Sequence, residues 1–156
     1  MFTSPTFGQV TPNSLKKVIS DFMAVNKSAI YRIIVGSDSQ KVKTDTHDFV
    51  SALIIHRVGE GGIYFWERHL VNQKMGLKER IYREAIGSLE TAEYFVNLFR
   101  GNGISRYNIE IHVDIGNNGE TRGLINEVVG MIRSNGYQVK TKPDSFGASN
   151  VADRHT

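Results

Sequence analysis

With 156 residues, 40% apolar and 22% charged, the chain is long enough to bury a core of its own. No apolar run nears the roughly 20 residues of a membrane span, the opening MFTSPTFGQV does not read as a secretory signal, and with no cysteine there are no disulfides or zinc–thiolate sites. A net charge of +3 and a pI near 9.2 permit a polyanionic partner without demanding one. The expectation is a single domain over residues 1–156 in a reducing cytoplasm.

Residues 1–10 read as a loose lead-in. Thr11-Pro12 then makes a helix start, with Thr as N-cap and Pro at the first helical position. Leu15, Val18, Ile19, Phe22 and Met23 follow at helical spacing, which predicts an amphipathic helix over 12–25. The run YRIIVGSDSQ (31–40) reads as a central strand covered on both faces, giving out at Asp38. A second strand is expected over about 48–58, a hairpin turn at Glu60-Gly61-Gly62, and a third strand in IYFWERHLV.

The period then changes. Leu77, Ile81, Ala85, Ser88, Ala92, Phe95, Val96 and Phe99 trace one helical face, closed by Gly101-Asn102-Gly103. NIEIHVDI (108–115) is a fourth strand, residues 120–134 a helix, and 137–141 a short fifth strand. The tail KPDSFGASNVADRHT opens a last helix at Ser149 or Asn150 and stops about one turn in, as though cut short at 156. Three meandering strands followed by alternating helices and strands imply an α/β fold with a mixed five-stranded sheet, helices on both faces and an extra helix in front.

Onto that order the acids fall in a pattern. Asp38 and Asp114 each stand where a strand ends, so adjacent strands would bring them to one edge. In the long helix, at about 100° per residue, Glu84 flanks the buried face beside Ile81 and Ser88, whereas Glu79 and Glu90 lie opposite. Gly87 and Ser88 are small enough for that helix to approach the sheet closely. Glu90 replaces Glu84 if the helix is kinked or starts later. Asp153 lies in the first turn of the last helix. Acids converging from these places repel one another unless a cation neutralises them, and oxygen-only ligands suit Mg²⁺ or Mn²⁺. A pair of such ions is common machinery for phosphodiester cleavage.

Three antiparallel strands, helix, strand, helix, strand and final helix is the order of ribonuclease H-like proteins. The strings VGSDSQ, HVDIG and KPDSFGASNVADR resemble the bacterial YkuK-type family within that superfamily, over roughly residues 10–156. The resemblance implies the fold. It also implies acids from the first strand, the long helix, the fourth strand and the last helix, and Asp38, Glu84, Asp114 and Asp153 match those places in chain order.

The expected function is therefore a two-metal nuclease acting on RNA, DNA or an RNA–DNA hybrid. Asp38 and Asp114 would bridge two Mg²⁺ or Mn²⁺ ions, with Glu84 and Asp153 completing the sites. The alternative is a non-catalytic nucleic-acid- or protein-binding module on the same fold, and a third reading is an enzyme on another phosphorylated substrate. His112, His155 and Ser39 are candidates to support the acids. Lys78 and Arg80 at the helix start are candidates for a phosphate backbone, and so is Asn117 ahead of the next helix. Each has an ordinary counterpart as packing residue, solvated helix face or turn former. No aromatic platform interleaved with basic residues is evident, and no Walker-type or GxGxxG string occurs.

Overall fold

The computed structural model describes residues 1–116 and 119–156, and its strands are β1 (Phe2–Ser4), β2 (Gly8–Val10), β3 (Tyr31–Lys43), β4 (Thr46–Arg57), β5 (Gly62–Val71), β6 (Ile109–His112) and β7 (Gln138–Lys140). Its α-helices are α1 (Pro12–Val25), α2 (Leu77–Leu98) and α3 (Ile125–Ser134). The sheet order is β2-β1-β5-β4-β3-β6-β7, with β6 and β7 parallel to β3 and the other pairings antiparallel.

The five expected strands are all present, and the first ten residues correct the expectation of a loose lead-in. They fold as a hairpin that pairs with β5 through Thr3 and Trp66, making a seven-stranded sheet. Phe2 and Val10 are buried, Ser4 Oγ accepts from the backbone N–H of Thr6, and Gly8 takes φ +67° at the turn. The first helix starts as the sequence predicts: the Thr11 side chain accepts from the Ser14 N–H at 3.2 Å, and Leu15 and Ile19 are its buried face.

A second correction concerns β3, which does not end at Asp38. Its ladder with β4 continues from Asp38↔Val50 to Lys43↔Thr46. The small polar residues that read as punctuation are strand residues whose side chains are satisfied: Ser37 Oγ lies 2.7 Å from Ser51 Oγ and accepts from Ser88 Oγ at 2.8 Å.

Strand alternation divides the sheet into two faces. Ile33, Val35, Leu53, Ile55, Phe65, Ile109, Ile111 and Val113 form a core with Leu15, Ile19, Ile81, Ala85, Phe95, Val128 and Ile132 of the helices. All three α-helices therefore cover one face, and the helical cover expected on the other is a short one. The opposite face carries Val50 and Ala52, packed against Ala152 with Trp66 and Val151 alongside. Its cover is the C-terminal segment, a π-helical turn over Gly147–Ala152 and a 3₁₀ turn over Asp153–His155, in place of an α-helix. Residues Gly119–Leu124 are likewise 3₁₀, so α3 begins at Ile125, later than predicted. No helix among the described residues is long and apolar enough to cross a membrane.

Candidate active site

Parallel pairing of β3 with β6 runs through Val35↔Ile111 to Gly36↔His112. Two residues further along the chain stand Asp38, still within β3, and Asp114, just past the end of β6. Both keep the side-chain direction of Gly36 and His112, so register brings the two aspartates to neighbouring places at one end of the sheet. The remaining two acids arrive from the faces. Helix α2 settles on β3 and β4 where Gly87 offers no side chain: a Cβ there would stand 3.3 Å from Ser51 Oγ and 3.6 Å from Ser37 Oγ. That close approach lets Glu84, one turn earlier, accept from Ser39 Oγ at 2.5 Å. On the other side the C-terminal turn carries Asp153 into a hydrogen bond with Asp38, and Thr156 Oγ1 lies 3.4 Å from Asp38 Oδ2.

Electrostatics show that these groups share one field. Burial, then the hydrogen bond and charge of Asp153, with a further push from Asp114, raise the Asp38 carboxyl to about 6. Burial chiefly, with the charges of Asp38 and Asp114, raises Glu84 to about 8 against the opposing Ser39 hydrogen bond and Arg80 charge. Asp114 Oδ1 is buried without a hydrogen-bond donor; Lys142 Nζ is 3.3 Å away as an ion pair, its own side chain largely in solvent. A cleft of about 10 Å³, room for about one water-sized group, lies among Ser37, Glu84, Ser88, His112 and Asp114.

Among the described residues no three His, Asp or Glu side chains stand close enough together to grip a metal as placed. The chemistry of the set nevertheless fits a hard divalent cation. The donors are all carboxylate oxygens, one is buried and met only by the Lys142 ammonium at ion-pair distance, and two are held above the ordinary carboxylate range by burial and by neighbouring acids.

Other sequence candidates take different places. Glu90 is exposed, on the rim of a larger groove of about 490 Å³ between α2 and the β4–β5 hairpin, a groove that also reaches Glu84. Arg80 is committed to Ser39, donating to its carbonyl at 2.8 Å and its hydroxyl at 3.2 Å, so it braces Ser39 under Glu84. Lys78 is exposed. Asn117 lies outside the described residues.

His112 is fully buried, its Nδ1 accepting from the Gly147 N–H at 3.1 Å and its Nε2 facing Glu110 at 3.2 Å. Burial depresses its pKa. With both ring nitrogens used, it ties β6 to the C-terminal segment and has no free edge for carrying protons. His155 stacks on Trp66 with ring centroids 4.6 Å apart and lies 2.9 Å from Tyr64 Oη, which makes it an anchor for the turn that bears Asp153.

Lys142 was not among the sequence candidates. Its signal was its register: Val113 N–H bonds the Lys140 carbonyl and Lys142 N–H bonds the Ile115 carbonyl, so Lys142 lies alongside Asp114.

A sequence model of the family described as Ribonuclease H-like matches residues 14–156. A protein of Bacillus subtilis (strain 168) described as uncharacterized protein YkuK is 32% identical over 168 residues, spanning 100% of this chain and 96% of that protein. Among solved structures, the N-terminal RNase H domain of rv2228c from Mycobacterium tuberculosis, fused to maltose binding protein, aligns with a TM-score of 0.41 at 8% identity, covering 80% of this chain and 93% of that one.

Proposed function

The chain belongs to the ribonuclease H-like family, and from that premise we propose that it is a metal-dependent nuclease whose site is Asp38, Glu84, Asp114 and Asp153. One observation carries the reading: carboxyls from β3, α2, the end of β6 and the C-terminal turn act on one another, Asp153 and Asp114 on Asp38, and Asp38 and Asp114 on Glu84, with Arg80 and Lys142 as the neighbouring cations. A fold gains nothing from such a cluster for its own sake, since uncompensated acids destabilise it.

Asp38 and Asp114, side by side by register, would hold the divalent ions between them, with Glu84 and Asp153 as outer ligands. Bound there, Mg²⁺ or Mn²⁺ supplies Lewis acidity toward a phosphate and lowers the pKa of water. The protein does the rest. Ser39, braced by Arg80, orients the Glu84 carboxylate, and the C-terminal anchor on Tyr64 and Trp66 holds Asp153 over Asp38. Open grooves around Glu84 suit a polymer better than a small phosphorylated metabolite, for which an enclosed pocket is the usual solution.

Incubation of labelled RNA, DNA and RNA–DNA hybrid with Mn²⁺ tests the proposal, comparing wild type with Asp38→Asn and Asp114→Asn. Cleavage of one substrate class, lost in both folded variants, is the expected result. Equal trace activity in all three proteins sinks it and leaves a binding module.

A further inference from the structure

We infer that the outer strand β7 and the loop that follows it form a binding track for single-stranded nucleic acid, with phosphates at Lys142 and Lys140 and a base against Phe146. The inference rests on the nuclease reading for its direction along the strand but not for its evidence.

Register supplies the first observation. Glu110↔Gln138 and His112↔Lys140 pair β6 with β7, and the bond from Lys142 N–H to the Ile115 carbonyl carries the ladder onward. Lys140 and Lys142 therefore share the sheet face of His112 and Asp114, about 7 Å apart along the strand. Both side chains are exposed. Lys142 reaches Asp114, and the Lys140 ammonium has no ion-pair or hydrogen-bond partner among the described residues. Two lysines in line with the acids, on the edge strand of the sheet, are placed to meet a phosphate backbone that reaches those acids.

The second observation is a groove of about 350 Å³ lined by Arg32, Lys140, Pro143, Asp144 and Phe146. Its aromatic wall is packed on two sides. The Phe146 ring meets His112 edge-on at 4.8 Å and 85°, while the Arg32 guanidinium stands 5.4 Å from the ring centre, itself fixed to Glu110 through Nε at 2.8 Å. Phe146 and Arg32 together make a partly exposed stacking surface beside a free lysine. Such a surface takes a base by its π-face, whatever the sequence. A duplex keeps its bases stacked on one another and has none to offer, so the groove selects single strands or single-stranded overhangs. The platform escaped the linear sequence because Arg32 and Phe146 are over a hundred residues apart.

Binding in EDTA separates this from catalysis. Fluorescence anisotropy with a labelled single-stranded oligonucleotide and a matched duplex would be measured over a salt series. The proteins are wild type, the double variant Lys140→Gln/Lys142→Gln, Phe146→Leu, and Lys27→Gln as a distant control.

For the double variant the expected result is weaker single-strand binding and a salt slope shallower by about 1.4, or about 0.7 per lost phosphate contact. Phe146→Leu keeps an apolar side chain against His112, so it should stay folded. It should lose about fivefold or more on single strands and little on duplex. An unchanged salt slope in the double variant overturns the track, and equal losses on single strand and duplex in Phe146→Leu overturn the platform. Lysine-dependent binding without cleavage under any metal would remove the nuclease reading and leave the track. Cleavage with no binding effect in these variants would do the reverse.

Discussion

Asp38 is under-supported in a metal-free protein, and that has a measurable consequence. A carboxyl whose folded pKa is raised contributes stability that is fully present below its unfolded pKa and is lost as pH rises through the folded value. For Asp38 that loss runs from about pH 4 to about 6, and for Glu84 from about 4.5 to about 8. In EDTA at pH 8 Asp38 is ionised beside Asp153 and near Asp114. Asp38→Asn removes that charge and keeps a hydrogen bond to Asp153. It should raise Tm by about 2–4 °C, as a relief of about 1 kcal/mol does in a chain of this size, with little change at pH 4. The same variant should abolish cleavage. A lower Tm at pH 8 would show that Asp38 is a structural carboxylate. His112 titrates the other way: its pKa is depressed by burial, so the stability it lends is present above about 6.5 and lost as pH falls. Hydrogen exchange at the Gly147 N–H, which bonds His112 Nδ1, should quicken at pH 5 before the core strands do.

At the scale of elements, the site depends on how α2 and the C-terminal turn are held. Gly87 sits against the Ser37–Ser51 hydroxyl pair. Gly87→Leu must push α2 away from β3, at a cost of about 1–3 kcal/mol, and draw Glu84 from Ser39. A melt should show the lost stability and an assay the lost kcat. Trp66→Ala removes the surface on which His155 stacks. It should lower kcat more than it raises KM and quicken hydrogen exchange over 147–156, while β3 and β4 stay protected. Helix α2 was legible in the sequence because its face is a long, regular period, and so was the inward turn of Glu84, because Gly87 and Ser88 mark the point of approach. Asp38 and Asp114 were legible as candidates from their places after apolar runs. The run of β3 through and beyond Asp38 was not: Ser37 is satisfied by Ser51 of β4 and Ser88 of α2, and Ser39 by Arg80 of α2, partners that local pattern does not register. Nor was the β1–β2 hairpin, whose two strands of three residues are too short to show a period. The roles of His112 and His155 were hidden for a similar reason, since only the folded C-terminal segment brings Gly147 to one and Trp66 to the other.

For the molecule as a whole, the proposed function makes protons and divalent ions competitors for the same four carboxyls. A cation that binds the folded state alone raises stability by mass action, and it binds more tightly as the ligands ionise. Ionisation of Asp38 and Glu84 is spread over pH about 6 to about 8, so the stabilisation that Mn²⁺ gives should be small at pH 5.5 and grow up to pH 8.5. Across that range the metal-free protein loses stability while the metal-bound protein does not, and the two melting curves should diverge with pH. Calorimetric titration at pH 7.5 in two buffers of different ionisation enthalpy should detect protons released on binding, coming chiefly from Glu84. Glu84→Gln should cut that release and flatten the upper part of the pH dependence. Asp114→Asn should abolish binding, because it removes the charge of a carboxylate whose buried oxygen is met only by the ammonium of the largely exposed Lys142. Mn²⁺ that stabilises wild type and Asp114→Asn equally is binding elsewhere, and the four acids would then have to be explained without a metal.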